Sequence, residues 1–251
     1  MAKISGDGKL PKRIGEYIVY QLEGENIIRR KSGFTSKKIN DDAKYVNSRN
    51  NASEFGKISA LCKKMRLVLK EILPKKNNLA VCNSLVKKMR HLLVFDVKSA
   101  RGLRNLSRAF ENDEARLALV GYNFNPDCEF DNFLEHVLVY KNYDYTINFD
   151  SFFISKSVKF PDGANYFGLR AHSLGFDFVA GEGVLHSPEW AFFANDSKIE
   201  RFSLKVDPVK FSDIVNFVLL EAQFFVLDGG SYVAVADDSS KSVQVIAVNQ
   251  L

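Results

Sequence analysis

Near the start of the chain, over residues 14–31, an extended strand would place Tyr17, Val19 and Gln21 on one face, alternating with Ile18 and Tyr20 on the other. Alternation with a period of two is typical of a β-strand that has one face on a core. The alternation is interrupted at Leu22-Glu23-Gly24-Glu25, where Gly24 can adopt the positive φ of a tight turn. The pattern predicts a β-hairpin with its turn at this point.

Over residues 41–118 the apolar residues follow the helical period instead. In the stretch 55–72, placing successive residues about 100° apart brings the apolar side chains into one arc of about 140°. These residues are Phe55, Ile58, Leu61, Cys62, Met65, Val68, Leu69 and Ile72, and Pro74 ends the helix. A second helix is predicted over residues 78–95, with an inward face of Leu79, Cys82, Leu85, Val86, Met89, Leu92 and Leu93.

A third helix is predicted to begin near Ser99. Its apolar face would contain Leu103, Leu106 and Phe110, and its polar face would carry Arg101, Arg104 and Arg108 at positions i, i+3 and i+7. We expect the three helices to pack as an antiparallel set over a shared apolar seam.

From residue 119 onwards the helical period fades and short apolar runs alternate with turn sequences. Asn125-Pro126-Asp127, Pro161-Asp162-Gly163 and Asp228-Gly229-Gly230 are examples of these turns. Short strands separated in this way indicate an antiparallel β-sandwich or barrel. The predicted fold class is therefore α+β: an N-terminal β-hairpin, an antiparallel helical segment, then an antiparallel β-sandwich or barrel, divided into domains of residues 1–118 and 119–251.

Charge is distributed unevenly along the chain. Residues 1–110 carry 25 Lys and Arg against 9 Asp and Glu, a net charge of +16, whereas residues 111–251 carry 10 against 21, a net charge of −11. The overall charge of +5 conceals these two halves of opposite sign. The asymmetry predicts either an anionic partner for the first half or contact between the first half of one copy and the second half of another.

The basic residues of the predicted helices are the candidate partner-binding residues. They are Lys63, Lys64, Lys87 and Lys88, with Arg66, Arg90 and the stripe Arg101, Arg104 and Arg108. Helices that present lysine pairs could follow a phosphate backbone. No helix-turn-helix, zinc or RNA-recognition sequence accompanies them, so a solvated face, a docked protein and a nucleic acid all remain open.

One turn in the second half groups polar side chains with the single tryptophan. The sequence from Gly181 to Trp190 offers Glu182, His186 and Glu189 as acid, base or ligand groups, and Trp190 as the wall of a groove for a sugar or a peptide. The spacing matches no zinc or metalloprotease motif. A solvated turn with Trp190 packed beneath it is the simpler interpretation.

No catalytic residue, metal ligand or cofactor is predicted. The three cysteines contain no C-x-x-C pair, and Cys62 and Cys82 lie on the apolar faces of predicted helices, which indicates buried small hydrophobes. No serine lies in a G-x-S-x-G motif. His172 alternates with apolar neighbours, and the sequence alone does not assemble a nucleophile–base pair.

Several groups of residues resemble the motifs of a family of small proteins common in Bacteroidota genomes. The motif R-x-N-x-x-E-F-G is matched from Arg49 to Gly56, and R-G-x-R is matched by Arg101-Gly102-Leu103-Arg104. Ile14-Gly15-Glu16-Tyr17 and a closing hairpin run over 219–232 are similar to the family's two ends. The resemblance implies a hairpin, a basic helix and a C-terminal hairpin region, and it implies no activity.

The sequence as a whole predicts a non-enzymatic structural or assembly subunit that self-associates, or docks a protein partner, through oppositely charged halves. A head-to-tail contact would build a ring or a filament, and a self-complementary contact would build a dimer. The alternative is a nucleic-acid-binding protein that uses the basic helical face. The chain has no apolar run near the ~20 residues of a membrane span, and residues 1–7 lack the apolar region of a signal peptide. We therefore expect a cytoplasmic protein with no membrane partner.

Overall fold

The computed structural model describes residues 2–4, 12–22, 25–31, 36–74, 78–125, 128, 138–141, 145–209 and 214–250. Contacts within the chain group it into two compact units, residues 1–50 and 51–251. This differs from the predicted division at residue 118. The reason is that apolar faces of the helices and of the later strands share one hydrophobic core, so these elements belong to the same unit.

The first unit contains a four-stranded antiparallel sheet. Its strands, in the spatial order β1-β4-β3-β2, are β1 (Ala2–Ile4), β4 (Glu25–Arg30), β3 (Tyr17–Leu22) and β2 (Arg13–Ile14). β3 and β4 pair from Tyr17 and Arg30 to Leu22 and Glu25. The predicted hairpin is confirmed, and its turn residues Glu23 and Gly24 lie outside the described residues. A short helix, α1 (Ser36–Asp41), follows the sheet.

Two long helices lie where the apolar period predicted them. They are α2 (Val46–Val68) and α3 (Asn78–Leu92), and α3 continues as a 3-10 turn over Leu93–Phe95. Two shorter helices follow, α4 (Leu106–Ala109) and α5 (Asp113–Leu119). In the part of the chain that the structure describes, none of the helices is both long enough and apolar enough to cross a bilayer.

The core buries only part of each predicted apolar arc. Most of the predicted inward residues of α2 and α3 are buried or half-buried: Ile58, Leu61, Cys62, Met65, Val68, Leu85, Val86, Met89 and Leu92. Phe55 and Leu79, however, are 49% and 74% exposed. Cys82 is half-buried rather than buried. The arcs are therefore wider than the strip that contacts the core, and their remaining apolar edge stays at the surface.

The predicted third helix is wrong in its first turns. The residues that follow Ser99 form turns up to Asn105, and α4 is only four residues long. Gly102 has a φ of 96°, which interrupts any helix. The carboxylate of Asp96 accepts hydrogen bonds from the backbone amides of Ser99 and Asn105 and stabilises the turn. Leu103 is consequently 65% exposed, whereas Leu106 and Phe110 are buried as predicted.

The second unit is built around a curled antiparallel sheet of six strands. Its strands are β8 (Tyr166–Asp177), β9 (Glu182–His186), β10 (Ala191–Ala194), β13 (Val215–Asp228), β14 (Ser231–Ala234) and β15 (Lys241–Gln250). β8 and β13 are the two central strands; β9 and β10 pair with β8, and β14 and β15 pair with β13. The predicted hairpin across Asp228-Gly229-Gly230 is confirmed, with φ of 53° and 83° at its two glycines.

The remaining strands form two small antiparallel sheets. One contains β5 (Leu138–Lys141), β6 (Thr146–Phe149) and β12 (Phe202–Lys205), and the other contains β7 (Phe152–Phe153) and β11 (Lys198–Ile199). A one-turn helix, α6 (Ile154–Ser157), follows β7.

The two faces of the six-stranded sheet bury different partners. On β13, Phe217 and Leu219 pack into a core shared with α2, α3 and α5, whereas Leu220 and Phe224 pack into a core shared with the small sheets. Alternation along the strand produces this division, because successive side chains point to opposite faces. The predicted fold class is confirmed, with the helices and the small sheets on opposite faces of the six-stranded sheet.

Candidate functional site

A groove with a volume of about 880 Å³ lies between α2 and α3. Its lining comes from α2 (Phe55, Ser59, Lys63 and Arg66), from α3 (Cys82, Asn83, Val86, Lys87, Arg90 and His91) and from Val94 and Arg104. We call this site the α2–α3 groove. Both helices also contribute buried residues to the hydrophobic core that they share with the six-stranded sheet.

The groove lining carries several basic side chains and no carboxylate. Lys63 and Arg66 are three residues apart on α2, and Lys87 and Arg90 are three residues apart on α3. Since residues at this spacing share a helix face, each wall presents a pair of cations. Among the described residues, none of these four side chains forms an ion pair. These four side chains therefore give the groove a positive charge that no ion pair between described residues neutralises.

The groove also contains exposed apolar surface. Phe55 and Val94 are 49% and 61% exposed, and the half-buried Val86 also lines the groove. An adjoining hollow of about 690 Å³ shares Lys63 and Arg66 with the groove and adds Leu67 and Leu79. These two leucines are 63% and 74% exposed. Apolar side chains with cations around them suit a ligand that has both apolar and acidic groups.

The structure separates the four predicted lysines into two pairs. Lys63 and Lys87 line the groove. Lys64 lies on another side of α2, where its Nζ donates a hydrogen bond to the carbonyl oxygen of Ala180 over 3.1 Å. Lys88 is half-buried and lies outside the groove lining. Positions 64 and 88 therefore belong to the same helices as the groove without being part of it.

The predicted arginine stripe does not form a helical face, because the chain turns there. Arg101 and Arg108 are exposed, and each is held locally. The NH2 group of Arg101 donates to Oδ1 of Asn51 over 3.0 Å, and NH1 of Arg108 donates to Oγ of Ser99 over 2.8 Å. Neither of them lines the α2–α3 groove.

Arg104 binds a buried carboxylate. Its Nε and NH2 groups donate to Oε1 and Oε2 of Glu54 over 2.8 and 2.7 Å. The backbone amide of Gly102 donates to Oε1 of the same carboxylate over 2.7 Å. The hydrogen bond from Arg104, aided by that from Gly102, outweighs the effect of burial and lowers the pKa of Glu54 to about 2. Glu54 and Arg104 therefore fix the turn against α2, and Arg104 is a structural residue at the edge of the groove.

The predicted cluster in the second half is not assembled as one site. Glu182 and His186 are exposed on the edge strand β9, and Glu189 is exposed in the loop after it. No hydrogen bond joins any of these three to another among the described residues. Among all the residues that the structure describes, no three His, Cys, Asp or Glu side chains lie close enough to hold a metal ion.

Trp190 packs in an aromatic surface instead. Its ring centroid lies 5.0 Å from that of Phe225 and 6.1 Å from that of Phe192. Phe192 stacks on Tyr232 with a centroid distance of 3.7 Å. The guanidinium carbon of Arg170 lies 4.3 Å from the centroid of Trp190. Trp190 is therefore half-buried among rings from neighbouring strands.

Between the residues that the structure describes, the opposite charges of the two halves are hardly paired with each other. Of the ion pairs between described residues, only Lys98 with Glu111 joins residues 1–110 to residues 111–251. The other pairs connect residues of the same half.

Two features of these sites were missed by sequence reasoning although the sequence carries a signal for each. Glu54 lies four residues before the inward-facing Ile58, and a carboxylate on an apolar helix face indicates a buried cationic partner. Glu221 is the single charged residue in the long apolar run of β13. Its partners are Arg170 and His172 of β8 and Lys241 of β15. Only the strand pairing identifies these partners.

Comparison of the chain with protein-family models, with curated protein sequences and with solved structures gives no match.

Proposed function

We propose that the chain is an assembly subunit whose α2–α3 groove binds an acidic segment from the second half of another copy. The observation that carries this proposal is the composition of the groove. Besides Arg104, which pairs with Glu54, its lining presents four basic side chains without an ion-pair partner among the described residues, exposed apolar residues and no carboxylate. Association through such a site combines electrostatic attraction with burial of apolar area.

The composition of the groove favours a protein segment over a nucleic acid. A phosphate backbone is bound by cations and polar groups, and it gives little apolar area to bury. Phe55, Val86 and Val94 would remain exposed beneath a phosphate backbone, whereas an amphipathic protein segment covers them.

The charge of the chain favours a second copy as the partner. Residues 111–251 carry a net charge of −11, and one ion pair between described residues connects them to residues 1–110. Acidic side chains on the strands of one copy are therefore available to the basic groove of another. A groove that binds a different surface of the next copy is a heterologous contact, which builds a ring if it closes and a filament if it does not.

The proposal is tested by measuring oligomer mass with light scattering after size-exclusion chromatography at ~50 mM and ~500 mM salt, since screening weakens exposed charge contacts over this range. We expect oligomers at low salt that shrink at high salt. The double variant Lys63→Glu, Lys87→Glu should be monomeric at both concentrations. The matched control Lys64→Glu, Lys88→Glu changes the same charge on the same two helices outside the groove and should still assemble.

Two outcomes would reject self-assembly. A constant monomer at low salt is one, and equal loss of assembly in both double variants is the other. A gel shift with random duplex DNA under the same salt conditions tests the alternative, because phosphate contacts weaken steeply with salt. DNA binding by a monomer that is lost only in the groove variant would replace the proposed partner with a nucleic acid.

A further inference from the structure

Strand pairing brings Ser187, His172 and Glu221 together on one face of the six-stranded sheet. Arg170 pairs with Glu221 in the β8–β13 register, so His172, two residues further along β8, lies diagonally across from Glu221. On the other side of β8, Ser173 pairs with His186, the last residue of β9. Ser187 is therefore the next residue along and lies opposite His172.

The three side chains form a continuous series of hydrogen bonds. Nδ1 of His172 lies 2.9 Å from Oγ of Ser187, and Nε2 lies 2.8 Å from Oε2 of Glu221. His172 and Glu221 are buried, at 0% and 1% exposure, whereas Ser187 is exposed. The series thus connects a buried carboxylate through a buried imidazole to a hydroxyl group at the surface.

Charges around Glu221 determine the direction of these hydrogen bonds. Burial opposes ionisation of Glu221, but the hydrogen bond from His172 and the charges of Lys241 and Arg170 outweigh it and lower the pKa of Glu221 to about 2. An ionised carboxylate only accepts, so Nε2 of His172 carries the proton and donates it. Burial also lowers the pKa of His172, although Glu221 opposes this, so the imidazole is neutral near pH 7. Nδ1 is then an acceptor, and the hydroxyl group of Ser187 donates to it.

Two cations hold the carboxylate in place. Nε and NH2 of Arg170 donate to Oε2 of Glu221 over 3.0 and 2.7 Å. Oε1 receives no aligned hydrogen bond from a described residue and lies 2.7 Å from Nζ of Lys241. Both cations also raise the free energy of a protonated His172, so a proton taken up by Nδ1 is readily returned.

We propose that Ser187 is a nucleophile for acyl transfer from esters, with His172 as its general base and Glu221 as the positioning residue of that base. A serine hydroxyl bonded to an imidazole, which is oriented in turn by a carboxylate, is the arrangement that activates serine nucleophiles on unrelated folds. This activity is separate from the proposed assembly function.

In each step of the reaction His172 accepts one proton at Nδ1 and then gives it up. Oγ of Ser187 forms a bond to the ester carbonyl carbon while its proton passes to Nδ1. The bond from that carbon to the leaving oxygen then breaks, and Nδ1 protonates the leaving alkoxide to give an alcohol and an acyl-serine. Water, deprotonated by Nδ1, releases the acyl group as a carboxylic acid, and the proton returns to Oγ of Ser187.

The surroundings of Ser187 indicate the class of acyl group. Trp190 lies three residues beyond Ser187 and contacts Arg170, which binds the same oxygen of Glu221 as His172 does. From Trp190 the aromatic surface continues to Phe192 and Tyr232, and Tyr232 is 41% exposed. An aromatic surface that is half-buried at Trp190 and Phe192 and exposed at Tyr232 suits an ester with an aromatic or long apolar acyl group.

The test is labelling of the full chain with a fluorescent alkyl fluorophosphonate, with the labelled residue located by mass spectrometry. We expect Ser187 to be labelled and the variant Ser187→Ala, altered at an exposed position, to lose the label. Ser231→Ala is the matched control, because Ser231 is an exposed serine on the edge strand β14, and its loss should leave labelling unchanged. Labelling of Ser187 no faster than that of Ser231 would overturn the proposal.

Variants of the base separate catalysis from structure. His172→Gln should slow labelling of Ser187 by about 100-fold, the effect of removing a general base, in protein whose circular dichroism shows it is folded. In Glu221→Gln, nitrogen NMR should show loss of the single Nε2–H tautomer of His172, together with slower labelling. Unchanged labelling in folded His172→Gln, or an unchanged tautomer in folded Glu221→Gln, would reject the assigned role.

Discussion

The α2–α3 groove and the cluster around Glu221 both contain several cations, but they differ in whether those cations have an ion-pair partner. In the groove, Lys63, Arg66, Lys87 and Arg90 have no ion-pair partner among the described residues. At the sheet, Arg170 and Lys241 share one buried carboxylate. An exposed cation contributes little to stability and is available to a ligand, whereas a buried ion pair is costly to break.

The location of each group in the fold explains this difference. Residues of the groove lie on helix edges beyond the strip that packs on the sheet, where water solvates them. Arg170, His172 and Glu221 lie on the central strands β8 and β13, and Lys241 lies on the neighbouring strand β15. They are on the face that also packs against the helices, where an unpaired charge would lose its hydration. Each prediction below changes one side of this comparison, beginning with the largest expected effect.

Removing the buried carboxylate should be the most damaging change. Glu221→Ala leaves Arg170 and Lys241 close together without their counterion, and breaking a buried pair costs about 3–5 kcal/mol. Urea unfolding followed by circular dichroism measures the loss. The control Glu182→Ala removes an exposed carboxylate from β9 and should change the free energy of unfolding by less than about 0.5 kcal/mol. Equal losses in the two variants would show that the carboxylate of Glu221 stabilises the fold no more than the exposed carboxylate of Glu182 does.

The Glu54–Arg104 pair should make a pH-dependent contribution to the free energy of unfolding. The pKa of Glu54 falls from 4.5 to about 2 on folding, so the charged form stabilises the fold above pH 4.5 and this contribution disappears as the pH falls towards 2. Relative to Glu54→Gln, the native chain should be more stable by on the order of 3 kcal/mol at pH 7. The gap should narrow by about 1 kcal/mol per pH unit below pH 4.5. A gap that stays constant between pH 7 and pH 3.5 would contradict the assignment.

Replacing two glycines by alanine should change the stability of the fold in opposite directions. A Cβ on Gly168 would lie 2.6 Å from Cε2 of Phe225 and 2.9 Å from Cε3 of Trp190. Gly168→Ala should therefore destabilise the fold by about 1–3 kcal/mol through overpacking. At Gly56, within α2, a Cβ meets nothing within 4 Å, and Gly56→Ala should stabilise by about 0.5–1 kcal/mol through helix propensity. Thermal unfolding of both variants measures these changes. It shows whether Trp190 and Phe225 can pack only when residue 168 has no side chain.

Neutralising one cation of the α2–α3 groove should have the smallest effect on stability, and it should stabilise the isolated chain. Lys87 is three residues from Arg90 and faces no carboxylate in the groove lining. Lys87→Gln should stabilise the isolated chain by about 0.2–0.5 kcal/mol through reduced repulsion, and the gain should vanish at high salt. A measured loss of stability would mean that Lys87 has an ion-pair partner in the folded chain.

Local patterns were sufficient for the hairpin, for α2 and α3, and for the final hairpin across Gly229 and Gly230. The turn of residues 99–105 was not predictable from the helical spacing of its arginines. It depends on the carboxylate of Glu54, which lies 48 residues from Gly102 in the chain and accepts a hydrogen bond from the amide of Gly102. The carboxylate of Asp96, just before the turn, also accepts hydrogen bonds from the amides of Ser99 and Asn105. A tertiary contact thus outweighs a local helical pattern.

The candidate sites differ in the same respect. The sequence placed Lys63, Lys64, Lys87 and Lys88 alike on the polar faces of two helices, because helical spacing alone sets the face. It did not separate Lys63 and Lys87, which line the groove, from the other two. The exposed edge of the apolar faces at Phe55 and Leu79 could not be identified either, since the width of the buried strip depends on the sheet beneath it.

The order of residues therefore specified the elements, the polarity of their faces and the opposite charges of the two halves, because these are properties of neighbours in the chain. Strand register decided which charges are neutralised and which hydroxyl group meets an imidazole. Ser187 and Glu221 lie 15 and 49 residues from His172. A shift of one residue in strand pairing would turn these side chains to opposite faces of the sheet and separate them.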